Sequence, residues 1–310
     1  MKLSTVEREP MTQLFSDTSR NRQIGIALVT LTTLAYATLD ASAKWLVQTL
    51  PVFQVVWLRF VVHSVFHAAV FTPSMGWRLY KVGNVRIQLL RGLMLGAMTL
   101  LNFWALQYLQ LAQTGAIQFS VPILIALISA IWLGEHLDVR RWVAILLGFV
   151  GVLIIIRPGS HAFHPAILLS VGNAFLYAAF NLLTRHLAAS ENPIATQFFS
   201  AVVAATVLTP FALMQWQTPE GWLNWALVAS MGLFGGLGHI GAAVAHRYAS
   251  AAVLGPFLYQ QIIYMTFFGW LVFDQIPDHG VAIGACVVVA SGLYLLWREL
   301  RQGKEVLPEA

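Results

Sequence analysis

Apolar stretches of about 17 to 25 residues recur ten times along this chain, with short polar segments between them. At a rise of about 1.5 Å per residue, about 20 apolar residues cross the hydrocarbon core of a bilayer. The pattern therefore predicts ten transmembrane spans, at 24–47, 52–72, 87–108, 112–133, 139–156, 165–187, 194–214, 222–246, 249–272 and 279–297. Lipid offers backbone groups no partner, so these spans must be helices, and the runs are too long for barrel strands. Pro51, Pro165 and Pro193 stand at or just before span starts, where a missing N–H costs nothing. Pro122 and Pro256 fall inside spans four and nine, where they predict kinks and are candidate hinges.

The segments between spans alternate between basic and nearly uncharged. Of 18 Lys and Arg, 15 lie on one set of ends and loops: Lys2, Arg8, Arg20, Arg22, Arg78, Lys81, Arg86, Arg91, Arg140, Arg141, Arg185, Arg247, Arg298, Arg301 and Lys304. The opposite set holds only Lys44, at a helix end, and Arg157. By the positive-inside rule the basic set is cytoplasmic, which requires an even number of spans and places both termini inside. The expected location is a bacterial-type inner membrane, crossed many times.

Composition agrees. Of 310 residues 58% are hydrophobic and 10% charged, where soluble domains carry about 25% charged residues. Ten spans leave room only for loops and two tails, 1–22 and 299–310. Residues 1–22 lack the apolar core of a signal peptide and read as a flexible cytoplasmic tail. The net charge of +5 comes from dispersed residues facing anionic lipid, so membrane lipid is an expected partner and nucleic acid is not. The single cysteine, Cys286, excludes an intrachain disulfide and a cysteine-ligated metal cluster. Most of the tryptophans, Trp45 and Trp222 among them, lie near span ends as interfacial anchors.

The chain reads as built twice. A shift of 141 places Tyr36 on Tyr177, Asp40 on Asn181 and Lys44 on Arg185. A shift of 140 places Gly92 on Gly232, Gly96 on Gly236, Tyr108 on Tyr248 and Gly115 on Gly255, and a shift of 139 brings Glu135 to Asp274. Two repeats follow, 23–160 and 161–298, each with five spans. An odd number makes the second insert upside down, as in many transporters.

Candidate chemistry lies on helix stripes. Tyr36, Asp40 and Lys44 share one face of span one at i, i+4 and i+8, and Tyr177, Asn181 and Arg185 repeat the stripe in span six. Arg59, His63 and His67 form a third stripe in span two. Asp40 and Arg59 lie at similar depth on either side of the turn between spans one and two. An Asp40–Arg59 ion pair, shared with Lys44, is one economical way to hold these charges in a membrane; direct substrate contact is the other. On that second reading Lys44 and Arg185 attract a carboxylate and Asp40 exchanges a proton. His63 and His67 lack a third ligand, so helix packing outweighs a metal site. Gly232, Gly235, Gly236, Gly238 and Gly241 in span eight, with His239 among them, predict close packing, expected against Gly92 and Gly96 of span three. Asn102, Trp104, Gln118, Phe119, Tyr259, Gln260, Gln261 and Tyr264 recur in spans three, four and nine; the polar groups among them need an interior or wet surface, and part of this set is expected to line a cavity.

The run Gly134-Glu135-His136-Leu137-Asp138, followed by Gly148 and Gly151 in an apolar fifth span, resembles the repeat signature of the EamA-type members of the drug/metabolite transporter superfamily. Pro51 ahead of Arg59-Phe60 is similar to that family's second span. The second half departs from the signature, with Asp274-Gln275 where Gly-Glu is usual. The resemblance covers essentially the whole chain. It implies an all-α membrane protein of ten helices in two inverted five-helix repeats around a central cavity. Spans one to four and six to nine would wall the cavity, with five and ten as peripheral supports.

The likeness to amino-acid exporters of that superfamily implies secondary export of amino acids, aromatic or apolar ones included, by alternating access. The carboxylate would sit near Arg185, Lys44 or Arg59 and the side chain against Trp104, Tyr36, Tyr177, Tyr259 or Tyr264. A nucleotide-like or cationic metabolite is the alternative, with Asp40 as the binding charge. No phosphate-binding G-x-x-x-x-G-K-[ST] loop occurs, so the driving force is expected to be a gradient. No H-E-x-x-H or paired serine–histidine setting supports an intramembrane enzyme. No cofactor or metal is expected, and a monomer should suffice.

Overall fold

The structure, a computed structural model, describes residues 18–132, 138–160, 163–187 and 191–305. Its first half runs α1 (Ser19–Leu46), α2 (Val52–Met75), a short 3-10 helix (Gly76–Tyr80), α3 (Val85–Leu106), α4 (Leu111–Gln118), α5 (Val121–Trp132) and α6 (Val139–Ile156). The second runs α7 (Ile167–Leu187), α8 (Pro193–Met214), α9 (Gly221–Tyr248), α10 (Ala251–Leu258), α11 (Gln260–Phe273) and α12 (His279–Glu305). Polar residues at the apolar boundaries set several starts. The side chains of Thr18, Asn84, Asp138 and Asn192 accept hydrogen bonds from first-turn N–H groups that would otherwise lack partners.

Spans four and nine are each two helices rather than one bent helix. The interruptions fall at Phe119–Ser120 and at Tyr259, positions related by a shift of 140. Pro122 is the second residue of α5, where its missing N–H is no loss, while Pro256 stays inside α10, three residues before the break. Among the described residues nine segments are long and apolar enough to cross a membrane, with α4 and part of α5 counted together. The α10–α11 pair, short pieces joined at Tyr259, makes the tenth.

Packing follows the duplication. α1 packs on α9 as α7 packs on α3, and α2 packs on α9 as α8 packs on α3. α2 meets its own counterpart α8, and α6 meets α12. These self-paired helices run antiparallel. Gln54 at the start of α2 bonds the backbone of Gln217 beyond the end of α8, and Tyr80, beyond the end of α2, packs edge-on against Phe198 near the start of α8. The halves are therefore inverted repeats around a central cavity.

Contrary to the expectation from sequence, the glycine stripes of spans three and eight do not meet each other. A Cβ on Gly232 would lie 2.4 Å from Val62, and one on Gly92 would lie 2.6 Å from Val203. Val62 and Val203 are themselves related by a shift of 141. Each stripe thus seats the second span of the opposite half, because inversion sets α9 against α2 and α3 against α8.

The α6–α12 pair is clasped at both ends. Asp138 caps α6 through the N–H of Arg141 and forms a salt bridge with Arg298 near the end of α12. Asp278 caps α12 through the N–H groups of Gly280 and Val281 and forms a salt bridge with Arg157, just beyond α6. Shifts of 140 and 141 relate the two aspartates and the two arginines, so one clasp is the other repeated. Arg157 and Asp274 take left-handed conformations, φ 48° and 53°, where α6 and α11 end. The Gly134–Glu135 signature lies outside the described residues.

Candidate functional site

Two chambers meet in the middle of the bundle. The deeper one, about 140 Å³, is lined by Tyr36, Asp40, Arg59, Thr99, Asn102, Gln118, Asn173, Tyr177, His239 and Gln261, with apolar Leu39, Leu95, Met98, Phe103, Phe119 and Met265 between them. Its charges come from Asp40 on α1 and Arg59 on α2, both buried. Asp40 Oδ1 accepts from Asn102 Nδ2 at 3.0 Å, and Arg59 Nη1 donates to Thr99 Oγ1 at 3.2 Å. The guanidinium also lies 4.5 Å from the Phe60 ring centre.

Of the two readings of these charges, the Asp40–Arg59 ion pair is not made: no contact within 4.0 Å joins them. The physical reason is α3. Thr99 and Asn102, three residues apart on one face, give each charge a neutral partner. Each charge thus keeps a neutral hydrogen-bond partner, and both remain on the chamber wall. Tyr36 Oη and His239 Nδ1 lie 3.2 Å apart, and Asn173 Nδ2 donates to Gln118 Oε1 at 2.7 Å.

The second chamber, about 490 Å³, lies toward the basic face, with Arg141, Arg185 and His246 in its wall; Arg185 and His246 are exposed. Pro122, Asn181 and Tyr259 also line it. The two chambers share Tyr36, Gln118, Phe119, Tyr177 and Gln261. At this partition Phe119 and Tyr259, the residues at the two helix breaks, pack with ring centres 5.1 Å apart. Gly292 leaves room for the Tyr259 hydroxyl, which would lie 2.0 Å from a Cβ there.

Of the residues picked out in the sequence, Tyr36, Asp40, Arg59, Asn102, Gln118, Tyr177, Asn181, Arg185, His239 and Tyr259 line one or both chambers. Four others, Lys44, Trp104, Gln260 and Tyr264, lie elsewhere. Lys44 is buried at the far end, where its ammonium donates to the carbonyls of Leu106 at 2.9 Å and Leu109 at 2.6 Å, closing the end of α3. Trp104 is exposed and packs edge-on against Phe53. Gln260 donates to Thr30 Oγ1 at 3.0 Å, tying α11 to α1, and Tyr264 lies within hydrogen-bonding distance of Gln260.

Sequence reasoning missed Thr99 and Asn173 as wall residues and placed Arg91 among the loop cations. Arg91 is in fact buried, donating to Thr184 Oγ1, the Thr196 carbonyl, Ser200 Oγ and Gln197 Oε1 and lying over the Phe180 ring. The signal for it was Thr196, Gln197 and Ser200, a polar patch inside an apolar span.

A model of the EamA-like transporter family matches this chain twice, over residues 23–157 and 164–297. The chain is 30% identical over 240 residues to the riboflavin transporter of Vibrio cholerae, covering 75% of each chain. It is 26% identical to the S-adenosylmethionine uptake transporter of Rickettsia bellii, over 92% of this chain and 97% of that one. It is also 25% identical to the pseudopaline exporter of Pseudomonas aeruginosa, over 87% and 95%. A solved crystal structure shares the fold with a TM-score of 0.60 at 21% identity, covering 91% of this chain and 99% of that one. With two matched repeats, inverted helices and a central polar chamber, the chain belongs to the EamA-like transporter family, whose members move small metabolites across membranes and are not enzymes.

Proposed function

We propose that this chain carries a metabolite with a planar heteroaromatic ring and a charged or hydroxylated tail, the nucleotide-like class, rather than a free amino acid. The observation that carries this reading is the division of labour between the chambers. The wider one has the volume of an ordinary small-molecule site and the Phe119–Tyr259 pair in its wall. The deeper one is too small for a whole ligand of that kind but presents Asp40 and Arg59 unpaired to each other. A ring held against the aromatic partition would reach its tail toward those charges. Relatives named for riboflavin and S-adenosylmethionine support a ring-bearing substrate.

In the proposed cycle, substrate enters from the basic face, taken as cytoplasmic, or leaves by it. The far end is sealed by buried Leu46, Val47, Leu50, Leu106 and Leu109 around Lys44. Alternating access then exchanges the shapes of the two halves. A single chain supplies both chambers, so a monomer suffices.

Proteoliposome exchange with labelled riboflavin, S-adenosylmethionine and phenylalanine tests the reading. Riboflavin or S-adenosylmethionine should exchange, phenylalanine should not compete, and Asp40→Asn should cut the exchange about tenfold or more, the worth of one hydrogen bond to a charged group. Exchange of phenylalanine alone would restore the amino-acid reading.

A further inference from the structure

We infer that His63 is a proton-binding site and that a proton taken there is coupled to substrate movement, an inference that rests on the transport reading above. His63 lies on α2 one turn from Arg59 and is fully buried, yet neither of its ring nitrogens has a hydrogen-bond partner among the described residues. Its ring stacks on His67 with centres 4.3 Å apart and planes within 7°. His239 meets it edge-on with centres 6.0 Å apart. His239 Nδ1 in turn lies 3.2 Å from the hydroxyl of Tyr36, which lines both chambers, so the His63–His239 ring contact is the one step without a hydrogen bond between His63 and the chamber wall.

A purely structural role explains this poorly. A buried polar group without a partner costs about 1–3 kcal/mol, and a neutral imidazole has two such groups. Phenylalanine would fill the slot against Gly235, give the same stacking and carry no such cost. His67, by contrast, is satisfied, with Nδ1 3.2 Å from the His63 carbonyl oxygen.

The charged and titratable groups facing His63 are Arg59 and His67 on its own helix and His239 on α9. The groups acting on His239 are Arg59 and His67 on α2, Arg91 on α3 and Tyr36 on α1. No carboxylate is in this set. When hydronium in the chamber gives its proton to the column and leaves water, His63 becomes an imidazolium beside the Arg59 guanidinium. No covalent bond other than N–H forms and nothing is oxidised. The second positive charge pushes α2 from α9, where Gly232 brings the two helices to backbone contact and Gly235 and Gly236 seat the side chains of Arg59, His63, Phe66 and His67. The structure described is thus the deprotonated state, and protonation favours the alternative arrangement of the halves.

Two measurements test this. In the first, proteoliposomes on a solid-supported membrane receive a step from about pH 8 to about pH 5.5, across the ordinary histidine range, with no substrate present. Wild type should give a transient proton-binding current larger than that of His63→Phe, which keeps exposed histidines such as His246, and equal currents in the two overturn the proposal. Absence of the current in wild type overturns the proposal whatever the substrate is. In the second, the labelled probe that exchanges is offered under a gradient of about one pH unit, which supports about tenfold accumulation at one proton per molecule. His63→Phe, and His63→Gln as a second variant, should abolish that accumulation while keeping exchange at zero gradient. Loss of exchange in both variants, or accumulation retained in either, overturns the coupling role. Lack of exchange of any probe by wild type would count against the transport reading alone, since the current is read without substrate.

Discussion

Replacing Gly232 by alanine tests the packing on which the chamber depends. A Cβ at Gly232 would lie 2.4 Å from both Cβ and Cγ1 of Val62 and 2.9 Å from the backbone nitrogen of His63. Ordinary carbon contacts begin near 3.4 Å, so about 1 Å must be found. A rotamer change cannot supply it, because the obstructing atoms are the root of a β-branched side chain and the backbone itself. α2 must retreat from α9, at the cost of about 1–3 kcal/mol typical of an overpacked core. Gly172→Ala is the control. It lies inside α7, and its Cβ would meet only Leu101 Cδ1 at 3.8 Å. There the better helix propensity of alanine should be neutral to favourable by about 0.5–1 kcal/mol. Thermal unfolding of the purified protein, followed by tryptophan fluorescence, should therefore rank Gly172→Ala at or above wild type and Gly232→Ala well below. Equal melting temperatures for the two, or the reverse order, would refute the α2–α9 approach and with it the seating of Arg59 and His63.

Three further expectations follow from the same contacts. Lys44→Met strips the Leu106 and Leu109 carbonyls of their donor and should cost about 1–3 kcal/mol of stability with the apparent substrate affinity unchanged; a weaker affinity at unchanged stability would put Lys44 on the path. Arg91→Lys loses the planar fork that serves four acceptors, and at about 0.6 kcal/mol per interhelical bond in a membrane it should destabilise by about 1–2 kcal/mol, measurable as a lower melting temperature. At Asp278, burial pushes the carboxyl up, but the N–H of Val281, the Arg157 guanidinium and the N–H of Gly280 together hold it below its ordinary range. A depressed folded value means that its contribution is complete above about pH 4 and is lost as pH falls through the folded value, so Asp278→Asn should flatten the melting temperature against pH in that acid window.

The crossing helices were legible because hydrophobic length is a strong signal in lipid, and the inversion followed from counting five spans per half. The stripe Tyr36–Asp40 and Arg59 in span two were found because a charge inside an apolar run stands out. What such a run cannot reveal is the partner. Lys44 and Arg91 look alike in sequence to Arg59, yet Lys44 closes a helix end and Arg91 binds four neutral acceptors, since each takes whatever acceptors its neighbours present. Trp104 and Gln118 also look alike as polar-edged residues of an apolar span; only the rotation of each helix decides that Gln118 faces the chamber and Trp104 faces outward. The clasp was missed for a different reason. Asp138 and Asp278, and Arg157 and Arg298, match across the duplication as well as any residues do, but Asp138 reads as part of a signature and the arginines as markers of membrane side, which hides the pairing between them.

That clasp has a consequence for energetics. Exchange the shapes of the two halves and each Asp–Arg link becomes the other, so the pair together is worth the same before and after. Such a joint adds to the strength of the assembly without favouring either side of the membrane. Contacts such as Tyr36 with His239 lack this property, and differences of that kind between the halves are where a preference for one face over the other must be written.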